Sequence, residues 1–395
     1  MVMQINAGKP IAADKVMLFA LGFRPFFLLA GLSAIWLIGQ WLISFSNGSM
    51  ISSHYPSLYW HSHEMIFGYS AAVIAGFLLT AVRNWTGVNT LSGISLALLT
   101  LVWLAARLLP LLSIPATALA VIDVMFLVLL AAVLARPIIK AQQWHNFFVV
   151  PLLLVYALAN GLFHAGLMGM MNDGVEWGEH LGLGVVVSLI VIMAGRVVGF
   201  FIERGLQDAA IKKWPWAEWL AIAGTISFFI GQTVLNKLAL LLIAVLALSG
   251  HIARLIGWHH RDIWRAPLLW VLYSGYMWLT LGFGLVIMNL QGVITESLSI
   301  HAFTVGGIGV ITLGMMARVA LGHTGRMMES HRLINLAFLL VNVAAYVRVI
   351  MPLWMPQELL FWVQASGILW ALAFTLFTII YAPMLIKARV DGMPG

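Results

Sequence analysis

The chain contains no cysteine and very few charged residues. Without cysteine it cannot form disulfides, thiolate-bound zinc sites or iron–sulfur clusters. Charged residues make up 9% of the 395 residues and hydrophobic residues 62%, whereas soluble domains carry about 25% charged residues. A soluble core could not absorb this much apolar surface. The composition therefore excludes a soluble domain and predicts an all-α integral membrane protein.

Twelve apolar stretches are long enough to cross a bilayer, for which an α-helix needs about 20 residues. The connections between them are short, so residues 1–395 are predicted to form a single polytopic membrane domain. The predicted spans are 19–45, 59–82, 92–112, 116–138, 146–170, 177–203, 214–234, 237–256, 265–290, 298–321, 332–352 and 357–386.

The basic residues are distributed unevenly between the two ends of these spans. With a cytoplasmic N-terminus, all but three of the 21 lysines and arginines lie on the cytoplasmic side, Lys9 among them. The exceptions are Arg107, Lys237 and Arg348. Because cytoplasmic loops are enriched in lysine and arginine, both termini are predicted to be cytoplasmic. The same bias accounts for the net charge of +7 without a nucleic-acid partner.

The second, sixth and tenth predicted spans share one pattern, in which a histidine, a glycine-rich middle and an arginine follow one another from the outer to the inner end. Repeats at a fixed period indicate repeated structural units, so three four-helix repeats are predicted over 17–140, 141–260 and 261–390. Alternatively, such end residues recur in any protein with twelve spans. The histidines are His63, His180 and His301, and the arginines, interpreted as cytoplasmic anchors, are Arg83, Arg196 and Arg318.

Half of the twelve histidines lie at the predicted outer ends. Ionisable groups within a membrane are costly and usually functional, and neutral imidazole binds heme iron and copper. Glycines after several of these histidines would let a macrocycle approach the backbone, although glycine also permits close helix packing. The alternative for any single histidine is a hydrated helix end. The outer histidines are His54, His61, His63, His164, His180 and His301.

A copper site is one interpretation of the segment LMGMMND, which follows His164. Copper favours imidazole and thioether ligands, so His164 with His54 or His61 and these methionines is a candidate set. Methionine also commonly fills gaps between helices. The predicted metal ligands are His180, His164 and His54.

Four segments resemble the NnrS family, and the resemblance covers essentially the whole chain. It implies a twelve-helix bacterial inner-membrane protein with heme, of the b type, and copper, linked to denitrification and to protection against nitric oxide and nitrosative stress. It marks His61, His63 and His301 as candidate heme ligands without assigning them. The segments are FALGFRPFF at 19–27, WHSHEMIFGY at 60–69, AGFLLTAVRNWTG at 75–87 and HAFTVGGIGVITLGMMARVALGHTGR at 301–326.

The chain is also distantly similar to the catalytic subunit of heme-copper oxidases, which has three four-helix arcs with ligands on its second, sixth, seventh and tenth helices. The seventh predicted span here has no histidine, and the tenth has a single outer histidine. A full two-heme, three-histidine copper centre is therefore not expected. One heme with a nearby metal fits the histidines better.

The motif WHSHEM at 60–65 places two histidines two residues apart. Such residues point about 200° from each other on an α-helix, so His61 and His63 are predicted to serve different sites. In one division His63 and His301 hold the heme iron, and His180 is a second metal ligand or a distal group. Glu64 then fixes the tautomer of His61, with which it shares a helix face. The alternative places His61 on the iron.

The leading functional hypothesis is a heme protein, with copper as a second metal, that handles nitric oxide near the periplasmic face. Catalysis would need electrons from quinol or a partner protein, because no electron-donor domain is attached. One alternative is a transporter in which Asp123, deep in the fourth span, relays protons. Another is a heme-based sensor that binds nitric oxide without turnover. The lipid bilayer is the remaining expected partner.

Overall fold

A computed structural model describes residues 15–49, 54–112 and 114–393. These residues form long helices joined by short connections, which confirms the predicted all-α class. Lys9, which was predicted to lie on the cytoplasmic side, is outside the described residues.

Eleven helices in the described ranges are long and apolar enough to cross a membrane. The predicted span 214–234 contains a helix of 17 residues that is shorter than these, so the count of twelve spans stays a prediction. In chain order the helices are α1 Phe23–Asn47, α2 Ser57–Thr86, α3 Gly93–Leu111, α4 Ala116–Lys140, α5 Trp144–Leu167, α6 Gly174–Gly205, α7 Pro215–Gly231, α8 Lys237–Trp258, α9 Pro267–Leu290, α10 Glu296–His323, α11 Arg332–Trp354 and α12 Pro356–Ile386.

Local sequence signals account for several helix ends. Pro215 and Pro267 occupy the starts of α7 and α9, where the missing N–H of proline leaves no helical hydrogen bond unmade. The side chain of Asn236 caps α8 by accepting a hydrogen bond of 3.0 Å from a backbone N–H of its first turn. α2 ends at Gly87, whose φ of 67° is a left-handed conformation that glycine adopts at little cost.

The two ends of the described chain meet on one side of the bundle, which we call the terminal face. The backbone N–H of Ala388 donates to the carbonyl oxygen of Lys15 at 3.0 Å. The buried guanidinium of Arg24 donates to the carbonyl oxygen of Lys387 at 2.6 Å. The start of α1 and the end of α12 therefore lie on the same side, and α12 is held against α1.

Two helices contain π-helical segments, each directly after a histidine. α2 is α-helical up to His63 and π-helical over Glu64–Ser70, and α10 is α-helical up to His301 and π-helical over Ala302–Gly309. α6, which carries His180, is α-helical throughout. π turns are rare and occur frequently at functional sites. They relate α2 to α10 and leave α6 apart, so the threefold repeat stays a prediction.

Candidate cofactor and metal sites

A cluster of buried ionisable side chains lies between α2, α3, α4 and α5. All of its members are almost inaccessible to solvent. We call it the buried cluster, and its members are His63, Glu64, Arg107, Asp123 and His164.

Asp123 is the centre of the buried cluster. Its Oδ2 lies 3.0 Å from Nε2 of His63 and 3.2 Å from Nε2 of His164. Its Oδ1 accepts a hydrogen bond from Nη2 of Arg107. Nη1 of Arg107 donates to Oε2 of Glu64 at 3.0 Å, and Oε1 of Glu64 lies 3.3 Å from Nδ1 of His63. Each carboxylate thus contacts both the guanidinium and at least one imidazole.

Three members of the buried cluster have the geometry of a metal site. One ligand atom each from His63, Asp123 and His164 lies within 4.8 Å of the others. Two imidazoles and a carboxylate suit transition metals such as copper, zinc and iron(II) better than magnesium or calcium, which prefer oxygen ligands. The cluster can therefore hold one metal ion between α2, α4 and α5.

The charge balance of the buried cluster also favours a bound cation. Glu64 and Asp123 supply two negative charges against the single positive charge of Arg107. With both histidines neutral, one negative charge would be uncompensated in a site that excludes water, which costs several kcal/mol. A bound cation, either a metal ion or a proton on a histidine, removes that excess.

Tyr55 covers the buried cluster from the segment before α2. Its ring centre lies 5.1 Å from that of His63 and 6.0 Å from that of His164. Its hydroxyl is buried and has no hydrogen-bond partner among the described residues. Burial, together with the charges of Asp123 and Glu64, raises the pKa of this hydroxyl well above its usual range. Tyr55 is therefore a neutral, unused hydrogen-bond donor beside the cluster.

A second site, which we call the histidine cavity, is a space of about 400 Å³ between α1, α2, α6, α10, α11 and α12. Two histidines and an arginine give it a polar end, and large aromatic rings form part of its walls. Ligand pockets in proteins are commonly about 300–1,000 Å³ and mostly apolar with a few polar groups. The polar and aromatic residues that matter below are His61, His301, Arg348, Trp41, Tyr69 and Trp370.

The two imidazoles of the histidine cavity are held differently. Nδ1 of His301 lies 2.6 Å from the backbone carbonyl oxygen of Ser297 and must donate to it. The other nitrogen, Nε2, therefore carries the lone pair that can bind a metal. His61 stacks on Trp41 with ring centres 4.4 Å apart and planes 13° apart. Its Nδ1 is buried with no hydrogen-bond partner in the described part of the chain.

The structure divides the predicted heme ligands between the two sites. His61 and His301 line the same cavity, whereas both ring nitrogens of His63 face groups of the buried cluster and the amide of Asn160. His63 and His301 are therefore not brought together. Glu64 contacts His63 and Arg107 rather than His61, because a guanidinium on α3 attracts its carboxylate more strongly than a neutral imidazole does.

The three predicted metal histidines also lie apart. His164 joins the buried cluster. His180 pairs with Glu296 at 3.4 Å, and Nε2 of His54 lies 2.7 Å from the carbonyl oxygen of Ile114. The methionines after His164 lie in the turn beyond α5, and the side chain of Met170 is exposed. Among the described histidine, aspartate and glutamate side chains, the group that could hold a metal ion includes neither His54 nor His61.

The glycines near the outer histidines lie against side chains. A Cβ at Gly184 would meet the side chain of Phe229 at 2.5 Å, and one at Gly306 would meet Trp278 at 2.6 Å. A Cβ at Gly309 would meet the indole of Trp370 at 2.2 Å. These glycines serve close helix packing, the alternative to a heme slot.

The residues of the chain also match a known family. The match is to the family described as NnrS protein, and it runs over residues 17–389. The chain belongs to the NnrS family. A search of curated proteins finds no match. Membership in the NnrS family points to a membrane protein related to nitric oxide, and the buried cluster gives this member a site that can bind metal.

The histidine cavity of this NnrS protein has several features that a heme site needs. Heme needs an imidazole with a free nitrogen and flat apolar surroundings. His301 presents such a nitrogen, and Trp41, Tyr69 and Trp370 supply aromatic walls. Nδ1 of His61 is buried and has no hydrogen-bond partner among the described residues. Buried polar atoms are normally satisfied by protein or ordered water, so a water molecule or a bound group beside this nitrogen is expected.

Proposed function

We propose that this NnrS protein is a heme-containing inner-membrane protein that handles nitric oxide, with heme in the histidine cavity and a second metal in the buried cluster. The observation that carries the proposal is the pair His61 and His301 in one cavity, with the tautomer of His301 fixed by Ser297. Bound heme would supply an iron that takes up nitric oxide.

The protein's own residues would then have separate roles. His301 would hold the iron through Nε2, while Ser297 orients its ring. His61, held against Trp41, would be either a second ligand or a group beside bound nitric oxide. The side chains of Trp370 and Tyr69 would cover the ring system and keep water away.

The space next to the histidine cavity also suits a small uncharged ligand. An apolar cavity of about 80 Å³ continues from it and shares Ser70, Val186 and Ile308 as lining residues. Its hydroxyl groups are already used, since Ser70 donates to the carbonyl oxygen of Met65 and Thr312 to that of Ile308. Without free polar partners such a space does not hold water but accepts apolar molecules, which favours nitric oxide over an ion.

The second metal would be held by His63, His164 and Asp123, with Arg107 and Glu64 fixing the carboxylate and one imidazole. Copper suits the imidazoles, and copper is the metal that the family resemblance implies. Two histidines and one carboxylate also form the ligand set of non-heme iron(II) sites. Metal analysis of the purified protein distinguishes these ions.

The remaining features of the proposal concern the membrane. The helix Pro215–Gly231 (α7) would also cross the membrane and would bring the number of spans to twelve, since about 17 residues suffice to cross a bilayer. The terminal face would be cytoplasmic, because the basic residues concentrate at that end. Both metal sites would then lie towards the periplasm, and quinol or a partner protein would supply electrons for any reduction.

A heme-based sensor or electron carrier is the second candidate function. If both His61 and His301 bind the iron, no position is open for nitric oxide, and turnover is disfavoured. Electron paramagnetic resonance of the oxidised protein decides this point, because two imidazoles give a low-spin signal. A high-spin signal means that one position is free.

The test of the proposal is a spectrum and a metal analysis of the purified protein and three variants. His301→Ala should lose or shift the heme Soret band and keep the second metal. His63→Ala should lose the second metal and keep the Soret band. His145→Ala is the control, because His145 is exposed and lies outside both sites. A colourless wild-type protein, or an unchanged Soret band in His301→Ala, would refute the heme assignment.

A further inference from the structure

Arg348 brings a positive charge to the histidine cavity that no described carboxylate neutralises. Its Nη2 donates to the hydroxyl of Ser297 at 2.9 Å. Its Nη1 is buried and has no hydrogen-bond partner among residues 15–49, 54–112 and 114–393. It forms no ion pair with any of those residues.

Two other arginines in the interior, Arg107 and Arg254, are paired with carboxylates. Arg107 contacts two carboxylates in the buried cluster. Arg254 donates to both oxygens of Glu218 at 3.1 and 2.5 Å. A buried guanidinium without such a partner is strongly destabilising. Arg348 is partly exposed, but its buried Nη1 lacks such a partner among the described residues.

The acidic residues of the same cavity are engaged elsewhere. Glu296 lies 3.4 Å from Nε2 of His180, and Glu179 accepts a hydrogen bond from the hydroxyl of Ser62. Neither of these carboxylates is therefore paired with Arg348.

We propose that the histidine cavity binds an anionic carboxylate or small oxyanion through Nη1 of Arg348. A planar guanidinium is the best side chain for such a group, because its N–H donors match the two oxygens. Ser297 would position the site, since its hydroxyl holds Arg348 while its carbonyl oxygen holds His301. This inference deepens the proposed function, because the propionates of a heme bound at His301 are one source of such a carboxylate, and a free anion is the other.

The first test compares two porphyrins on heme-free protein. Heme and its dimethyl ester, which lacks the propionate charges, are titrated into wild type, Arg348→Gln and Arg348→Lys. If a propionate fills the site, Arg348→Gln weakens heme binding by about tenfold or more. It leaves binding of the ester unchanged, and Arg348→Lys restores part of the affinity. Arg318→Gln is the matched control, because Arg318 also has a buried, unpartnered Nε but lies near the other end of α10 against Phe201.

The second test separates a free anion from a propionate. Sodium formate is added to the heme-free protein, with sodium chloride at equal ionic strength as reference, and the melting temperature is measured. Stabilisation of wild type but not of Arg348→Gln supports a small-oxyanion site. Equal heme affinity in wild type and Arg348→Gln together with no formate effect would overturn the inference and leave the heme assignment intact. If wild type binds neither porphyrin, the heme proposal fails, and the formate result alone decides the anion site.

Discussion

Replacing Arg107 by leucine should destabilise the protein far more than replacing Asp123 by asparagine. In the wild type Arg107 is the single fixed positive charge against Glu64 and Asp123. Arg107→Leu leaves two buried carboxylates without it, and loss of one partner from a buried ion pair costs about 3–5 kcal/mol. Asp123→Asn instead leaves Glu64 and Arg107 as a neutral pair. The substitution removes hydrogen bonds but leaves no buried charge unbalanced, so the expected loss of stability is about 1–3 kcal/mol.

The free energy of unfolding of metal-free protein in mixed detergent micelles measures this difference, with tryptophan fluorescence as the signal. The double variant Arg107→Leu/Asp123→Asn should lose less stability than the sum of the single changes, because it buries one uncompensated carboxylate instead of two. Asp173→Asn is the control, since Asp173 is exposed near the start of α6. Equal losses in the two single variants would show that the cluster carries no excess negative charge, and the argument for a bound cation would fail.

Three further predictions concern other parts of the fold. Tyr276→Phe removes a hydroxyl group that lies 2.7 Å from a buried histidine and accepts a hydrogen bond of 2.9 Å from a buried arginine. The free energy of unfolding should therefore fall by about 1–3 kcal/mol. An unchanged free energy of unfolding would contradict this role. Gly166→Ala should destabilise the protein, because the added Cβ would lie 2.3 Å from a backbone nitrogen of α6. Gly39→Ala should be neutral or slightly stabilising, because open space surrounds that position. Equal effects of the two substitutions on the melting temperature would refute this prediction. A hydrogen bond from Arg389 lowers the pKa of Asp391 to about 2. This pair should therefore stabilise the C-terminal segment above about pH 4 and be lost as the pH falls towards 2, which carboxyl NMR of labelled protein can follow.

The helices could be predicted from the sequence because bilayer thickness sets a minimum apolar length, and the eleven spans follow the predicted stretches closely. The partners of the histidines could not be predicted in the same way. Helical geometry separates His61 from His63 and places Glu64 within reach of either. Which imidazole Glu64 contacts depends on Arg107, which reaches it from α3. Contacts between helices depend on packing that single-helix periodicity does not contain.

Two residues of the buried cluster nevertheless carried a signal in the sequence. Arg107 is one of only three basic residues on the predicted outer side, and Asp123 is an acidic residue deep in a predicted span. Each alone is unfavourable in a membrane. They lie on consecutive helices joined by a short connection, with Arg107 four residues before the end of α3 and Asp123 seven residues after the start of α4. Adjacent antiparallel helices place such positions at similar depth, so two opposite charges that each break a membrane rule should be paired with each other first. That rule would have turned Asp123 from a proton-relay candidate into a partner of Arg107.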